Sequence, residues 1–317
     1  MIDFKNQSVI VTGAGRGLGR LYALELARRG ASVVVNDVGT SVHGEGSDSH
    51  VADQVVEEIR AAGGVAVASC DSVASPEGGE AIVRTAVDSF GRLDAVISNA
   101  GIFNTVDFEQ MEVENWRRML NVHLDGSFYL GQPAYRVMKV QGYGRLVFVT
   151  SSIGCFGHPQ AAHYAAAKGG IVGLTNALAV EGEPYGIRVN SVLPTGFSRM
   201  VMEGLGSMGP GGDDAEQALS EMPMIKMMDP KLVVPIVVYL ASKACTVTHH
   251  HYSAGAGRYA RAYIGLSEGW LAEAGSEPTA EDIEAHLDKV SAADPYMVPS
   301  SVVDETMDLC KRRGLMD

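Results

Sequence analysis

Residues 12–19 read Thr-Gly-Ala-Gly-Arg-Gly-Leu-Gly, a glycine cluster set between an apolar run at 8–12 and a stretch at 18–29 with apolar residues at helical spacing. Glycine adopts backbone conformations closed to other residues, so such a loop can turn tightly and lay its backbone against a ligand. The helix that follows directs free N–H groups and the positive end of its dipole at whatever the loop holds. A strand, a glycine loop and a helix in that order fit the pyrophosphate of a dinucleotide.

The rest of the chain keeps the same rhythm. Short apolar runs at 32–36, 65–69, 95–98, 145–150 and 188–192 read as buried parallel strands. The stretches 51–62, 77–90, 113–139 and 163–181 read as helices, and Gly30 and Gly63-Gly64 act as stops. Repeated strand–helix units with short connections predict an α/β fold with a doubly wound parallel sheet. The rhythm lapses after about residue 250. We therefore expect a nucleotide-binding domain over 1–250 and a C-terminal extension over 251–317 packed on it, with Thr279 capping a helix over 279–290. Two polar, glycine-rich loops interrupt the pattern, 38–50 and 203–214. The second lies among Met200, Met202, Met208, Met222, Met224, Met227 and Met228, an adaptable apolar wall if the loop is a lid. The alternative is a surface loop beside ordinary core methionines.

Composition excludes several classes of function. Hydrophobic residues make up 46% of the chain, enough for a full core. The formal charge of −13 disfavours nucleic acid and anionic membrane surfaces as partners and leaves a small-molecule substrate. No apolar run is long enough to span a membrane. The N-terminus passes straight into the first strand without a signal-peptide plan, so a cytoplasmic location is expected. Cys70, Cys155, Cys245 and Cys310 are scattered and read as reduced thiols, with Cys155 a passive small residue.

The chemistry gathers at the strand ends. Gly13, Arg16, Gly17, Leu18 and Gly19 form the phosphate turn. Asp37, ending the second strand, can accept hydrogen bonds from ribose hydroxyls and repel a 2′-phosphate, which favours NAD over NADP. Arg16 pulls the other way. Asp71 and Ser72 follow the third strand, at the height of the adenine, and Asn99-Ala100-Gly101 follow the fourth, under the adenosine half. Tyr164 and Lys168 stand four apart and share one helix face. A neighbouring ammonium lowers a phenol pKa from about 10, which would let Tyr164 exchange a proton with a carbinol. Ser151, or Ser152 beside it, supplies a hydroxyl at the end of the fifth strand. Pro194-Thr195-Gly196 are expected at the nicotinamide end. Arg258 and Arg261 are candidate cations for a CoA thioester, with plain surface arginines as the alternative. The run His249-His250-His251 is not expected to bind metal, since consecutive residues rarely chelate one ion in good geometry.

Taken in this order, the residues resemble the short-chain dehydrogenase/reductase family. The resemblance rests on TGAGRGLG at 12–19, NAG at 99–101, Asn121 in NVHLDGSF, and Ser151, Tyr164 and Lys168. It implies a Rossmann-type fold and an NAD(P)-dependent oxidoreductase acting on CH–OH groups. It also implies Tyr164 as acid/base, Lys168 as a further contact to the nicotinamide ribose, Ser151 as the substrate-orienting hydroxyl and Asn121 as holder of a proton-relaying water. Ser98 departs from the family's usual Asn. A nearer likeness is to the (3R)-hydroxyacyl-CoA dehydrogenase units of type 2 peroxisomal multifunctional enzymes (17β-hydroxysteroid dehydrogenase type 4-like). It is carried by RGASVVVNDVG, VADQVVEEIRAAGG, YGRLVFVTSS, HYAAAKGGIVGLTNALAVEG and GAGRYARAY. That likeness implies NAD and a hydroxyacyl-CoA or hydroxysteroid substrate. The alternatives are a general secondary-alcohol dehydrogenase or carbonyl reductase and, from another class, a non-catalytic NAD-sensing protein on the same fold. Without hydratase or sterol-carrier segments, and ending in Leu315-Met316-Asp317 rather than a peroxisomal address, the chain reads as a free-standing relative. Family habit implies a homodimer or homotetramer joined through helices 113–139 and 163–181.

Overall fold

The computed structural model describes residues 1–196 and 227–316, so the expected 203–214 lid and Met200, Met202, Met208, Met222 and Met224 lie outside the described residues. The chain divides into two compact units, Met1–Arg261 and Ala262–Asp317.

Unit one is built on strands β1 (Ser8–Thr12), β2 (Ser32–Asn36), β3 (Val65–Ser69), β4 (Ala95–Ser98), β5 (Gly144–Val149), β6 (Ile187–Thr195), β7 (His250–Gly255) and β8 (Arg258–Ala262). They lie in the order β3-β2-β1-β4-β5-β6-β7-β8, with parallel pairing from β3 through β7. Side chains alternate across each strand, and this alternation splits the core into two layers. Val9 and Val11 of β1 join Val33 and Val35 of β2 on one face, under α1 (Gly17–Arg28), α2 (His50–Ala61) and α8 (Val234–Ala241). Ile10 and Val34 point to the other face, under α3 (Pro76–Phe90), α5 (Gly126–Gln141) and α7 (Ala162–Gly182). Each fully buried aliphatic side chain contributes about 1.5–3 kcal/mol, and this doubly covered sheet is what holds the strand ends in place.

Parallel strands put all their carboxyl ends on one edge. Because β1 neighbours both β2 and β4, the chain leaves it toward opposite sides, which opens a crevice at the ends of β1 and β4. The glycine loop and the Asn99-Ala100-Gly101 turn flank that crevice. The doubly wound architecture expected from the sequence is the one observed.

Three differences from the sequence reading have physical causes. First, unit one runs to Arg261 rather than 250, because β7 continues the sheet from Asn190↔His250 to Thr195↔Gly255. The strand is disguised because its buried positions include polar residues. His251 lies with Nδ1 2.7 Å from Ser191 Oγ and Nε2 2.8 Å from Asn176 Oδ1, and His250 Nδ1 lies 2.8 Å from Tyr252 Oη. A two-residue turn, Ala256-Gly257, with φ of 52° and 76°, then folds β8 back as a hairpin. Second, the long helix over 113–139 is interrupted. α4 (Val113–Leu120) passes into a π-helical turn at Asn121–Asp125 before α5 begins. A single widened turn of this kind barely alters the apolar period. Third, α6 (Ser152–Phe156) forms directly after β5, capped by the Ser151 hydroxyl, which accepts from the Ile153 N–H at 3.1 Å.

Unit two holds a small antiparallel pair, β9 (Leu266–Ser267) with β10 (Tyr296–Met297), and three helices, α9 (Ala280–Ala285), α10 (Leu287–Val290) and α11 (Val302–Arg312). The Thr279 cap takes the form of a reciprocal box. Asp282 N–H donates to Thr279 Oγ1 at 3.3 Å, and Thr279 N–H donates to Asp282 Oδ2 at 2.9 Å. The expected single helix breaks at His286, whose ring stacks on Trp270 at 4.1 Å. No helix among the described residues is long and apolar enough to cross a membrane.

Candidate active site

The phosphate turn is shaped by what a side chain would strike. A Cβ on Gly13 would lie 2.9 Å from Ala100 Cα, and one on Gly19 would lie 2.1 Å from Gly13 O. Gly17 takes φ +53°, in the left-handed region, with open space around it. Helix α1 has no side-chain cap and no acidic residue in its first turn, so its free N–H groups face the crevice. By contrast Ser75 and Ser151 cap α3 and α6. A cradle that side chains would fill, at an uncapped helix start, fits a dinucleotide pyrophosphate.

Asn99 stitches this turn to the neighbouring strand. Its amide donates to Thr12 O at 2.9 Å and Gly13 O at 3.2 Å, and the N–H groups of Asn99 and Ala100 donate to Thr12 Oγ1 at 3.0 and 3.1 Å. Ser98, the departure from the family pattern, lies 3.2 Å from the Ser127 hydroxyl, which itself donates to His123 O at 2.6 Å. Asp37 sits past the end of β2 with both carboxylate oxygens held. Oδ2 accepts from Gly15 N–H at 2.8 Å and Oδ1 from Gly39 N–H at 2.7 Å.

A cavity of about 510 Å³ runs from this cradle to Tyr164 and Lys168, within the range of small-molecule sites. At its cradle end it is lined by Gly13, Arg16, Gly17, Leu18, Gly19, Asp37 and Ser72. Farther in, the walls are Asn99, Ala100, Gly101, Tyr164, Lys168 and Pro194. Asp71, Asn121, Ser151, Ser152, Thr195 and Gly196 are not part of its wall. Asp71 instead accepts from Ser69 Oγ at 3.0 Å, and Thr195 continues β6 beside Gly255. Asn121 opens the π-helical turn, whose Val122 and His123 do line the cavity.

Sequence reasoning missed many of the wall residues, two groups among them. Val38, Thr40, Ser41, Val42 and Gly44 of the loop after β2 form one side. The loop closes on itself through Asp48 N–H to Val38 O at 3.0 Å, and Phe103 N–H donates to Val42 O at 3.0 Å. Its length and its place after a strand are the signals that could have marked it as a ligand cover, although no single residue stands out. His123 is the other, and nothing in its local sequence signals that it is buried against Tyr164.

The ammonium of Lys168 predicts a lowered Tyr164 pKa, but burial reverses the direction. The phenol is pushed up to about 12 by desolvation, with the Ser151 hydroxyl pulling weakly down. The same burial pulls Lys168 down to about 7. Lys168 Nζ lies 5.6 Å from the Tyr164 ring centroid and donates to Val149 O at 2.7 Å, and Thr150 Oγ1 donates to Lys168 O at 2.7 Å. Two nearly water-free groups each favour the uncharged form. At neutral pH Tyr164 is therefore a proton donor, beside a lysine whose own proton is loosely held.

A doubly wound sheet with a nucleotide cradle and a buried Tyr/Lys pair at one switch point defines a nucleotide-dependent oxidoreductase. The chain belongs to the short chain dehydrogenase family, which it matches over residues 7–207 and whose members typically use NAD(P)(H). It is 38% identical over 300 residues to the peroxisomal multifunctional enzyme A of Dictyostelium discoideum, covering 95% of this chain and 63% of that protein. It is 39% identical over 291 residues to a short-chain type dehydrogenase/reductase of Mycobacterium tuberculosis, covering 92% of this chain and 96% of that protein. The full-length peroxisomal multifunctional enzyme type 2 of Drosophila melanogaster superposes with a TM-score of 0.78 at 28% identity, over 98% of this chain and 50% of that one. The chain thus spans about half to two thirds of these multifunctional relatives.

Proposed function

We propose that this protein interconverts a secondary alcohol and a ketone with NAD, using Tyr164 as acid/base, Lys168 as its proton partner and Ser151 as the orienting hydroxyl. The observation that carries the reading is that one cavity joins the glycine cradle to the Tyr164/Lys168 pair. When bound, the nicotinamide accepts the hydride that leaves the carbinol carbon, so alcohol and oxidised nucleotide become ketone, reduced nucleotide and one proton. Tyr164 receives the hydroxyl proton in that direction and returns it in the other. A phenol raised to about 12 keeps its proton at neutral pH, the form that ketone reduction draws on. Alcohol oxidation needs the phenol proton to leave first, and the loosely held site on Lys168 offers a route. Asn121, at the π turn, is assigned the water that completes the relay to solvent. The Asp37 carboxylate beside the cradle favours ribose hydroxyls over a 2′-phosphate.

For the substrate we favour a (3R)-hydroxyacyl-CoA, with a hydroxysteroid as the competitor, on the strength of the multifunctional relatives. Of the two candidate cations, Arg258 begins β8 just past the carboxyl end of β7 and donates to Ser253 Oγ at 2.7 Å. Arg261 lies farther along, near His250 and His251, whose pKa values are lowered chiefly by burial, with the Arg261 charge adding to it. A homo-oligomer joined through α4, α5 and α7 is part of the same reading, supported by exposed Val113, Phe128 and Val180 on those helices, and light scattering tests it. The cytoplasmic location is tested by cell fractionation.

The deciding assay follows nucleotide reduction with a (3R)-hydroxyacyl-CoA and a 17β-hydroxysteroid side by side. Preference for the thioester is expected. Replacing Tyr164 by Phe should cut turnover by about 100-fold or more while nucleotide affinity stays unchanged. A fully active Tyr164→Phe protein, or one that binds nucleotide yet turns over no alcohol before substitution, defeats the proposal and leaves a nucleotide sensor in its place.

A further inference from the structure

The Tyr164 ring is held from two sides. Phe103 meets it edge-on with centroids 5.0 Å apart at 90°, and His123 does the same at 5.2 Å and 86°. Edge-to-face contact is a preferred arrangement of such rings. His123 projects from the π-helical turn and is 2% exposed. Its Nε2 lies 2.8 Å from Ile102 O and 3.2 Å from Ile102 N, so either neutral tautomer has a partner there. A Cβ on Gly101 would come within 2.3 Å of His123 Cε1, so the Asn99-Ala100-Gly101 turn is cut to fit the imidazole.

One atom does not fit a purely structural account. His123 Nδ1 is buried with no hydrogen-bond partner. A buried unpaired nitrogen is a standing cost, and a phenyl ring would fill the same space without it. The imidazole therefore owes its place to what Nε2 anchors and to the edge it presents. The groups that act on it by charge or ring contact, Lys168, His163 and Tyr164, all belong to α7. Burial and the neighbouring Lys168 keep the ring uncharged, so it does not compete for the proton on Tyr164.

We infer that His123 is a positioning residue for the reaction: anchored on Ile102, it fixes the plane of the Tyr164 ring against Phe103. The role rests on Tyr164 being the acid/base and adds to it a residue outside the Asn/Ser/Tyr/Lys set. Ile102 and Phe103 are adjacent, and Phe103 N–H is held by Val42 of the nucleotide-side loop, so the clamp and the cradle share one segment.

The test compares kcat and KM of wild type, His123→Ala, His123→Asn, His123→Phe and Tyr164→Phe, each checked by thermal melting. His123→Ala should lose about tenfold or more in kcat while KM for the nucleotide stays within about twofold. His123→Phe, which restores the ring contact but not the Ile102 anchor, should recover part of that loss. If the alanine protein does not fold, His123→Asn takes its place, keeping a polar contact to Ile102 without a ring, and the same loss is expected. Wild-type kcat in the Ala or Asn protein, or a Phe protein no better than they are, overturns the role of His123. An active Tyr164→Phe protein brings down the acid/base reading, and the role of His123 with it. The Tyr164→Phe column therefore tells the two failures apart.

Discussion

Gly19 offers the sharpest test of the nucleotide cradle. It sits in the first turn of α1, and an added Cβ would lie 2.1 Å from Gly13 O and 2.7 Å from Asn99 Nδ2. Ordinary contact starts at 3.4 Å, so the Gly13 carbonyl must retreat by about 1.3 Å, the difference between 3.4 and 2.1. That carbonyl is backbone, and it also accepts from the Asn99 amide, so the whole turn moves with it. A displacement of about 1 Å in a positioning element can cost on the order of 100-fold, or about 2.7 kcal/mol. Alanine is otherwise about 1 kcal/mol better than glycine inside a helix, which offsets part of the damage to folding and none of the damage to binding. Gly19→Ala should therefore show nucleotide affinity reduced by about 100-fold with a small change in melting temperature. Titration calorimetry with NAD, beside a thermal melt without it, separates the two effects. Unchanged NAD affinity would refute the assignment of residues 12–19 as the pyrophosphate seat.

Lys168 makes stability depend on pH. Its pKa falls from 10.5 to about 7 on folding, so between those values the unfolded chain binds more protons and stability rises with pH. The buried charge weighs fully below pH 7. Lys168→Met should flatten this rise by on the order of 1 kcal/mol per pH unit between pH 7 and 10, read from denaturant unfolding, and an unchanged slope counts against a depressed lysine. Asp37→Ala should raise the KM for NAD by about tenfold or more, the loss of charge-assisted hydrogen bonds worth about 1.5–3 kcal/mol. The KM for NADP should not rise in parallel, and an equal rise for both nucleotides would remove Asp37 from the ribose site. Phe148, 1% exposed in the layer beneath α5, should cost about 3–5 kcal/mol when cut to alanine, and a loss under 1 kcal/mol by denaturant titration would show that the layer is not close-packed there.

Much of this architecture is readable from local sequence. The strand at 8–12, the glycine turn and the helix after it are defined by neighbours in the chain, and so are the Thr279 cap and the four-residue spacing of Tyr164 and Lys168. Periodicity and turn chemistry act over a few residues, which is why β1 to β6 fall close to where their apolar runs stand. β7 was illegible for the opposite reason. Its buried His251 and Ser253 look polar until Ser191 and Asn176 are brought to the first from β6 and α7, and Arg258 to the second from β8.

The sequence by itself determined the succession of β1 to β6 with the main helices between them, the residues at their ends and, through them, the family. Tertiary structure decided everything that depends on burial by distant segments. It widened the helix at Asn121–Asp125 and folded the loop after β2 into the cavity wall. It also set Phe103 and His123 against Tyr164 and reversed the expected shift of the Tyr164 pKa. A charge near a phenol can be read from spacing, but the loss of water around it cannot, because desolvation is the work of residues far away in the chain.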